Sequence, residues 1–388
     1  MIGLLALSLF ASCDFEKINT NEFEMLPEEG KMDGISVGGP ITALQKCVVP
    51  VGTQDDGTNV ANEYQVAYHL AADCWSGYFA QNNNWNSGRN NLTYFLMDGW
   101  VSASYTSAYT KVIPLWQDIK IKTEKDFPEA YALAQILKVS TWHKATDMFG
   151  PIPYKEAGKG LISVPYDSQA DVYTCMFEDL TNAIGVLTNA LEHGTTKLLP
   201  NADAVYGGNV KKWIVYANSL MLRLAMRVYY ADEAMSKKYV LQAVNNPYGV
   251  MQSKDDEAKM EKGAGLTFIN NLEILSNQYN ECRMGSSMQA YLGGYEDPRL
   301  PKYFTESEAY YAQELGQYGK YLAVPTGNIA SQNDVFKMAS RPNVTKTTAT
   351  YWMRASEVYF LLAEAALHGI SVNGSAEDLY RKGIAMSF

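Results

Sequence analysis

Val210–Tyr230 reads VKKWIVYANSLMLRLAMRVYY, and the spacing of its apolar residues decides the class of fold. Trp213, Ala217, Leu220, Leu224 and Val228 recur at steps of three and four, which lays one apolar stripe along an α-helix. Arg223 and Arg227 stand four apart on another face, placed to meet acidic groups of a neighbouring helix. Three further stretches carry the same periodicity. Residues 129–150 (EAYALAQILKVSTWHKATDMFG) are apolar over more than half the circumference, so that helix should be packed on two sides, stopping before Gly150 and Pro151. Residues 167–191 offer Asp167 or Ser168 as an N-cap, and residues 354–369 combine high-propensity Ala, Leu and Glu with a closing Gly369.

Long irregular segments join these helices, and neither alternating strands nor a βαβ rhythm appears. The expected class is mainly α with large loop insertions. Helix pairs rich in Ala, Leu and Tyr suggest a tetratricopeptide-like layout, although no clean repeat of that period is visible. Residues 14 to about 60 are rich in Gly, Asp, Asn and Pro and read as a tether followed by loops, with a short helix near Ile41–Cys47. The division expected is 1–12 signal, 13–60 tether and loops, and 61–388 helical domain.

With 47% hydrophobic and 19% charged residues the chain is globular, not disordered. A formal charge of −10 lacks the Lys/Arg footprint of a nucleic-acid binder, so nucleic acid is excluded as a partner. The opening MIGLLALSLFASCDFEK has an apolar run too short to cross a membrane, which takes roughly 20 residues. Small residues Ala11 and Ser12 stand directly before Cys13, as in a bacterial lipoprotein signal cut before a lipidated cysteine. A basic start is missing, and Phe10 stands where Leu is usual. Cys47, Cys74, Cys175 and Cys282 are far apart, with no CxxC pair, and read as buried thiols instead of a metal site.

Four phrases occur in order: ATDMFGPIPYKEA (145–157), KKWIVYANSLMLRLAMR (211–227), DPRLPKYF (297–304) and ASEVYFLLAEAALHG (355–369). With the lipoprotein-like start, they make the chain resemble the SusD/RagB family of Bacteroidetes outer-membrane lipoproteins over nearly its whole length. The resemblance implies a non-enzymatic, lipid-anchored cell-surface protein. It would bind glycan and serve as a lid on a SusC-like TonB-dependent outer-membrane transporter. The implied fold packs degenerate tetratricopeptide helix pairs into a scaffold, with the ligand on a loop-rich side. Family chains continue past the last of these phrases, so this chain is expected to be a fragment.

No catalytic constellation emerges from the residues. His69, His143, His193 and His368 are scattered and form no HExxH pattern, and His143 reads as a satisfied core histidine. GAGLTF (263–268) lacks the context of a dinucleotide site and reads as a loop. Neither cofactor nor metal is expected. Among 42 acidic residues, some pair will stand at glycosidase spacing by chance alone. An α-helical glycoside hydrolase and a purely structural or adhesive surface protein are the alternatives.

A glycan binder needs flat aromatics for sugar C–H faces and Asn, Gln or Arg for hydroxyls. DCWSGYFAQNNNWNSGRNN (73–91) holds both kinds. Trp75 and Tyr78 follow helical spacing from Tyr68 and Ala71, which assigns Tyr78 and Phe79 to a core and leaves Trp75 open to either role. Trp85, among asparagines and glycine, reads as an exposed platform, with Asn84, Asn86 and Arg89 as polar company. LSNQYNECRMGSS repeats the chemistry with Tyr279, Asn280 and Arg283, and Tyr318 and Tyr321 form a weaker third candidate.

Overall fold

A computed structural model describes residues 35–53, 57–263, 265–309, 316–327 and 336–388. Cys13 and the expected signal at 1–12 lie outside the described residues.

Among the described residues, nine α-helices of eight or more residues organise the scaffold: α1 (Ile35–Val48), α2 (Gly57–Tyr64), α3 (Ile113–Thr123), α4 (Pro128–Phe149), α5 (Gln169–Glu192), α6 (Val210–Arg227), α7 (Glu233–Val244), α8 (Ala355–Leu367) and α9 (Ala376–Ser387). α6 is central and packs against α4, α5, α7 and α8. Its start is fixed by the Asn209 side chain, which accepts the Lys212 N–H at 3.0 Å. Its predicted stripe is buried from Trp213 through Leu224. Each such large side chain, once out of water, contributes about 1.5–3 kcal/mol. The two arginines meet acidic partners as expected. Arg223 donates to both carboxylate oxygens of Glu357 on α8, at 2.6 and 2.8 Å, and Arg227 pairs with Asp147 on α4.

α4 is buried around most of its circumference against α1, α3, α5 and α6. Gly150, at φ 73°, ends it, a conformation glycine adopts at no steric cost. Ser168 caps α5 by accepting the Asp171 N–H at 3.1 Å. Trp142, Trp213, Tyr216, Phe177 and Ile136 lie in one continuous core shared by all the long helices. The helices pack as successive neighbours in the chain, α3 with α4, α4 with α5, α6 with α7 and α8 with α9. On α8 and α9, Phe360, Tyr380 and Ile384 remain exposed, as does Phe388 directly after α9.

The short helix expected near Ile41–Cys47 is present and longer, spanning Ile35–Val48, and Ile41, Leu44 and Val48 belong to the main core. Two other local expectations are corrected. Gly263 and Leu266–Phe268 of GAGLTF belong to the antiparallel pair of β4 (Lys262–Gly263) and β5 (Leu266–Ile269), with β1 (Gly52–Thr53) added on the other edge. The helix leading to Trp75 stops there. Gly77, at φ 78°, turns the chain into β2 (Phe79–Gln81), which pairs antiparallel with β6 (Cys282–Met284). A last pair joins β3 (Ala258–Met260) to β7 (Thr350–Met353).

The β2–β6 pair brings two distant segments together and carries the candidate site. Gly285 N–H donates to the Tyr78 carbonyl at 3.0 Å. A Cβ on Gly285 would lie 2.4 Å from the Gly77 carbonyl oxygen, so only glycine fits this approach. Beyond β6 a second apolar cluster of Met284, Leu292, Leu300, Phe304 and Tyr321 supports the short elements. Asp297 and Arg299 pin the turn between them, with Arg299 Nε 2.9 Å from Asp297 Oδ1.

Candidate functional site

The residues after α2 are π-helical from Gln65 to Asp73. Such segments hydrogen-bond i to i+5, are rare, and concentrate at functional sites. Of the other π-helical stretches among the described residues, Ala108–Val112 leads into α3, while Ile274–Gln278 and Gln289–Gly293 flank β6. The first segment and the two beside β6 lead into or contain aromatic residues named below.

Trp75 lies two residues past the first segment and is 41% exposed. Its indole N–H donates to the Asn91 carbonyl at 2.9 Å, which fixes the orientation of the ring. Tyr94, 77% exposed, lies nearly parallel to it, with centroids 6.2 Å apart and planes 12° apart. Phe95 and Leu96 extend the apolar surface, and the Arg89 guanidinium sits 5.2 Å from the Phe95 ring centroid. Tyr78 is also exposed, at 56%. On the helix that follows β6 and the turn after it, Tyr291 and Tyr295 form a second exposed stacked pair, 6.3 Å apart.

Backbone strain gathers in the same loop. Asn86, Ser87 and Tyr94 take φ of 50°, 55° and 59°, as does Asn280 at 58°. A left-handed tyrosine costs about 1–3 kcal/mol and persists only where its surroundings enforce it. Here Asn90 and Thr93 form a capping box just before Tyr94, and Asn90 also donates to the Trp85 carbonyl at 2.9 Å. Asn91 accepts the Met97 N–H at 2.9 Å. The buried asparagines therefore brace the loop.

The residues expected from sequence separate into distinct roles. Asn84, Asn86 and Arg89 are exposed, and of these Arg89 sits against Phe95. Trp85 is only half-exposed and packs on Leu70, Cys74 and Leu92, edge-on to Trp100 at 6.1 Å. The exposed platform expected at Trp85 is corrected accordingly: its ring found the apolar partners that its polar sequence neighbours did not announce. Tyr78 is corrected in the opposite sense, because the helical phase that would have buried it ends at Trp75. Phe79 does pack inward, edge-on to Phe304 at 6.0 Å. Asn280 is joined to the loop by Asn82, which donates to its carbonyl at 2.9 Å, and Asn83 donates to Glu281 at 2.8 Å. Tyr279 is half-buried against Ala61, Ile269 and Ile274. Arg283 is fully buried and donates to the Lys337 carbonyl, so it cannot meet a ligand at the surface. Tyr321 belongs to the second core. Tyr94, Phe95 and Tyr291 were missed. The run TYFL directly after a polar loop was the available signal.

Beneath Trp75, Tyr64 and His69 both bond Asp73 Oδ2, and His69 Nε2 lies 4.0 Å from Cys74 Sγ. The order cysteine, histidine, aspartate invites a catalytic reading. Cys74, however, is fully buried, and burial raises its thiol pKa, so no accessible thiolate exists. Burial opposes charge on His69, but Cys74 and Asp73 outweigh it and push its pKa up to about 10. The group is an internal brace. Cys74 and Cys282 are buried free thiols, and Cys47 and Cys175 are half-buried ones. His143 is a satisfied core histidine with Nδ1 2.9 Å from the Val139 carbonyl. Among the described residues no cluster suited to a metal ion occurs, and no helix is long and apolar enough to cross a membrane.

What this surface offers chemically is a set of flat apolar rings, edged by amide and guanidinium donors. Solved structures with this architecture are numerous. A chitin-binding SusD homologue from Flavobacterium johnsoniae superimposes with a TM-score of 0.83 and 33% identity, covering 91% of this chain and 70% of that one. SusD homologues from Bacteroides vulgatus (TM-score 0.82, 29% identity, 92% and 71% covered) and Bacteroides uniformis (0.80, 30%, 91% and 70%) are similar to the same extent. No curated protein sequence matches the chain. The profile of the SusD-like family, described as SusD and RagB outer membrane lipoprotein, matches residues 17–388. That family is one of outer-membrane lipoproteins and not of enzymes, and this chain belongs to it.

Proposed function

We propose that this chain captures oligosaccharide or polysaccharide at the bacterial cell surface and hands it to a SusC-like TonB-dependent transporter, anchored to the outer membrane by lipid on Cys13. The observation that carries the capture step is the exposed, nearly parallel pair Trp75 and Tyr94. Aromatic faces of this kind stack against the C–H face of a pyranose. Arg89, Asn84 and Asn86 would bond its hydroxyls from one side, with Tyr279 and Asn280 as outlying contacts. The chitin-binding activity of the Flavobacterium johnsoniae homologue supports a polysaccharide as ligand class.

The test is a glycan array on the purified protein, followed by calorimetric titration of every hit with Trp75→Ala and Tyr94→Ala. Binding that is lost in both variants, with circular dichroism unchanged, supports the proposal. Hits that both variants bind as the parent does would remove the platform. Release of reducing ends from a hit by the parent protein would favour the hydrolase alternative.

A further inference from the structure

A cavity of about 380 Å³ opens on the π-helical segment, bounded by the end of α1, by α4, by the turn after β5 and by the start of β7. That volume lies within the roughly 300–1,000 Å³ typical of small-molecule sites. The i to i+5 register of the π segment sets Tyr68 and Asp73 on one face, and both line this cavity. Lys144 enters from α4, with its ammonium 5.3 Å from the Tyr68 ring centroid. It donates to the Val48 carbonyl, and among the described residues it makes no ion pair. An ammonium has three N–H donors, so two remain for a ligand. Asp73 uses one oxygen for Tyr64 and His69 and is still partly open. Asn271, buried in the cavity wall, donates to the Pro50 carbonyl at 2.6 Å, while its Oδ1 has no hydrogen-bond partner among the described residues.

An unpaired cation, a carboxylate with spare lone pairs, an unsatisfied amide oxygen and a tyrosine wall make an unusual combination. A neutral apolar molecule would leave the ammonium uncompensated. A dication would be repelled by it. We infer that this cavity binds a sugar acid, a monosaccharide-sized polyol bearing one carboxylate, with the carboxylate on Lys144, hydroxyls donating to Asp73 and Asn271, and a C–H face on Tyr68. The inference rests on the glycan-capture proposal for the polyol character of the ligand and on the cavity for its charge.

The charge has a consequence that can be measured. Burial, with Arg223 adding to it, lowers the Lys144 pKa to about 7. The other titratable or charged groups around it are Tyr64 at the end of α2, Tyr68 and Asp73 from the π segment, Cys47 from α1, His143 from α4 and Tyr351 from β7. Cys47 is raised to about 11 by burial and stays neutral near pH 7, and Arg223 is paired with Glu357. Lys144 is thus charged below pH 7 and neutral above it. A bound carboxylate favours the charged form, so binding at pH 7 should take up about half a proton per ligand.

The experiment is calorimetric titration of the chain with free glucuronate and with glucose at pH 6 and pH 9, in two buffers of different ionisation enthalpy. Glucuronate should bind at pH 6 at least tenfold tighter than glucose, and weaken by tenfold or more at pH 9. Lys144→Met, which keeps the stem in place, should abolish this binding while Trp75→Ala leaves it intact. Should the lysine variant fail to fold, proton uptake by the parent protein still decides. Absence of glucuronate binding at pH 6, equal affinity for glucose, or affinity independent of pH would overturn the inference. Loss of polymer binding in Trp75→Ala tests the platform separately, so either proposal can fail alone.

Discussion

Trp75 and Tyr94 lie nearly parallel across 19 residues of sequence, held there by one hydrogen bond from the indole to Asn91 and by the left-handed backbone of Tyr94 itself. Both rings are open to solvent, so removing either should leave the core untouched. Trp75→Ala should weaken glycan binding at least about tenfold, near 1.4 kcal/mol, with little change in melting temperature. Trp85→Ala should do the reverse, costing about 1–3 kcal/mol of stability by removing the edge contact with Trp100. Calorimetric titration and thermal melts on both variants check the pair. Equal effects of the two substitutions on affinity would return Trp85 to the surface role that its sequence context suggested.

The platform depends on how closely β6 approaches the turn before β2. A Cβ at Gly285 would meet the Gly77 carbonyl oxygen at 2.4 Å and the Phe79 carbonyl oxygen at 3.2 Å, all backbone atoms with nowhere to go. Gly285→Ala should therefore push the two segments apart, at a cost of about 1–3 kcal/mol, and reduce glycan affinity although residue 285 presents no side chain to a ligand. Denaturant unfolding read beside the titration tests this. A variant as stable as the parent would mean that the approach is looser than the structure has it.

How far these features could be read beforehand follows from the physics behind each. Helix α6 was legible because one stripe of side chains must leave water together, and Arg223 and Arg227 declared their partners by standing four apart. The loop was harder for a specific reason. Asparagines that bind a sugar and asparagines that brace a turn are the same residue in the same company, and Asn90 and Asn91 are braces. Tyr94 was invisible because no local rule favours a tyrosine at φ 59°. Tyr78 was misplaced because a helical phase was carried past Gly77, where positive φ ends it. Burial of Trp85 depended on Trp100 and Leu92 arriving from beyond the polar loop, contacts that short-range periodicity does not contain.

Arg223 and Glu357 tie α6 to α8, and the two partners should not be equivalent under mutation. Arg223 is largely buried, whereas the Glu357 side chain remains partly hydrated. Glu357→Ala leaves a buried guanidinium with only the Trp352 carbonyl, at 3.1 Å, to accept from it. Arg223→Met keeps the apolar packing of the stem and leaves a carboxylate that can hydrate. The first should cost about 3 kcal/mol and the second nearer 1 kcal/mol, measured by denaturant unfolding. The opposite ranking would show that packing by the arginine stem, and not its charge, binds the two helices.

Acid should loosen the scaffold through His143. The ring is buried within α4, and burial, with Arg223 and Lys144 close by, holds its pKa well below the usual histidine range. In the unfolded chain the same group titrates near its ordinary value, about 6.5. Below that pH the unfolded chain binds a proton that the folded chain refuses, so falling pH favours unfolding. The contribution of the neutral ring is therefore whole above about pH 6.5 and is lost progressively as pH drops towards the depressed folded value. Each pKa unit of that depression is worth about 1.4 kcal/mol. His143→Met removes the titration while filling most of the space. Melting temperature recorded from pH 7.5 to pH 4.5 should fall more steeply in the parent than in this variant, with the difference opening only below pH 6.5. Parallel curves would show that His143 does not carry the acid sensitivity.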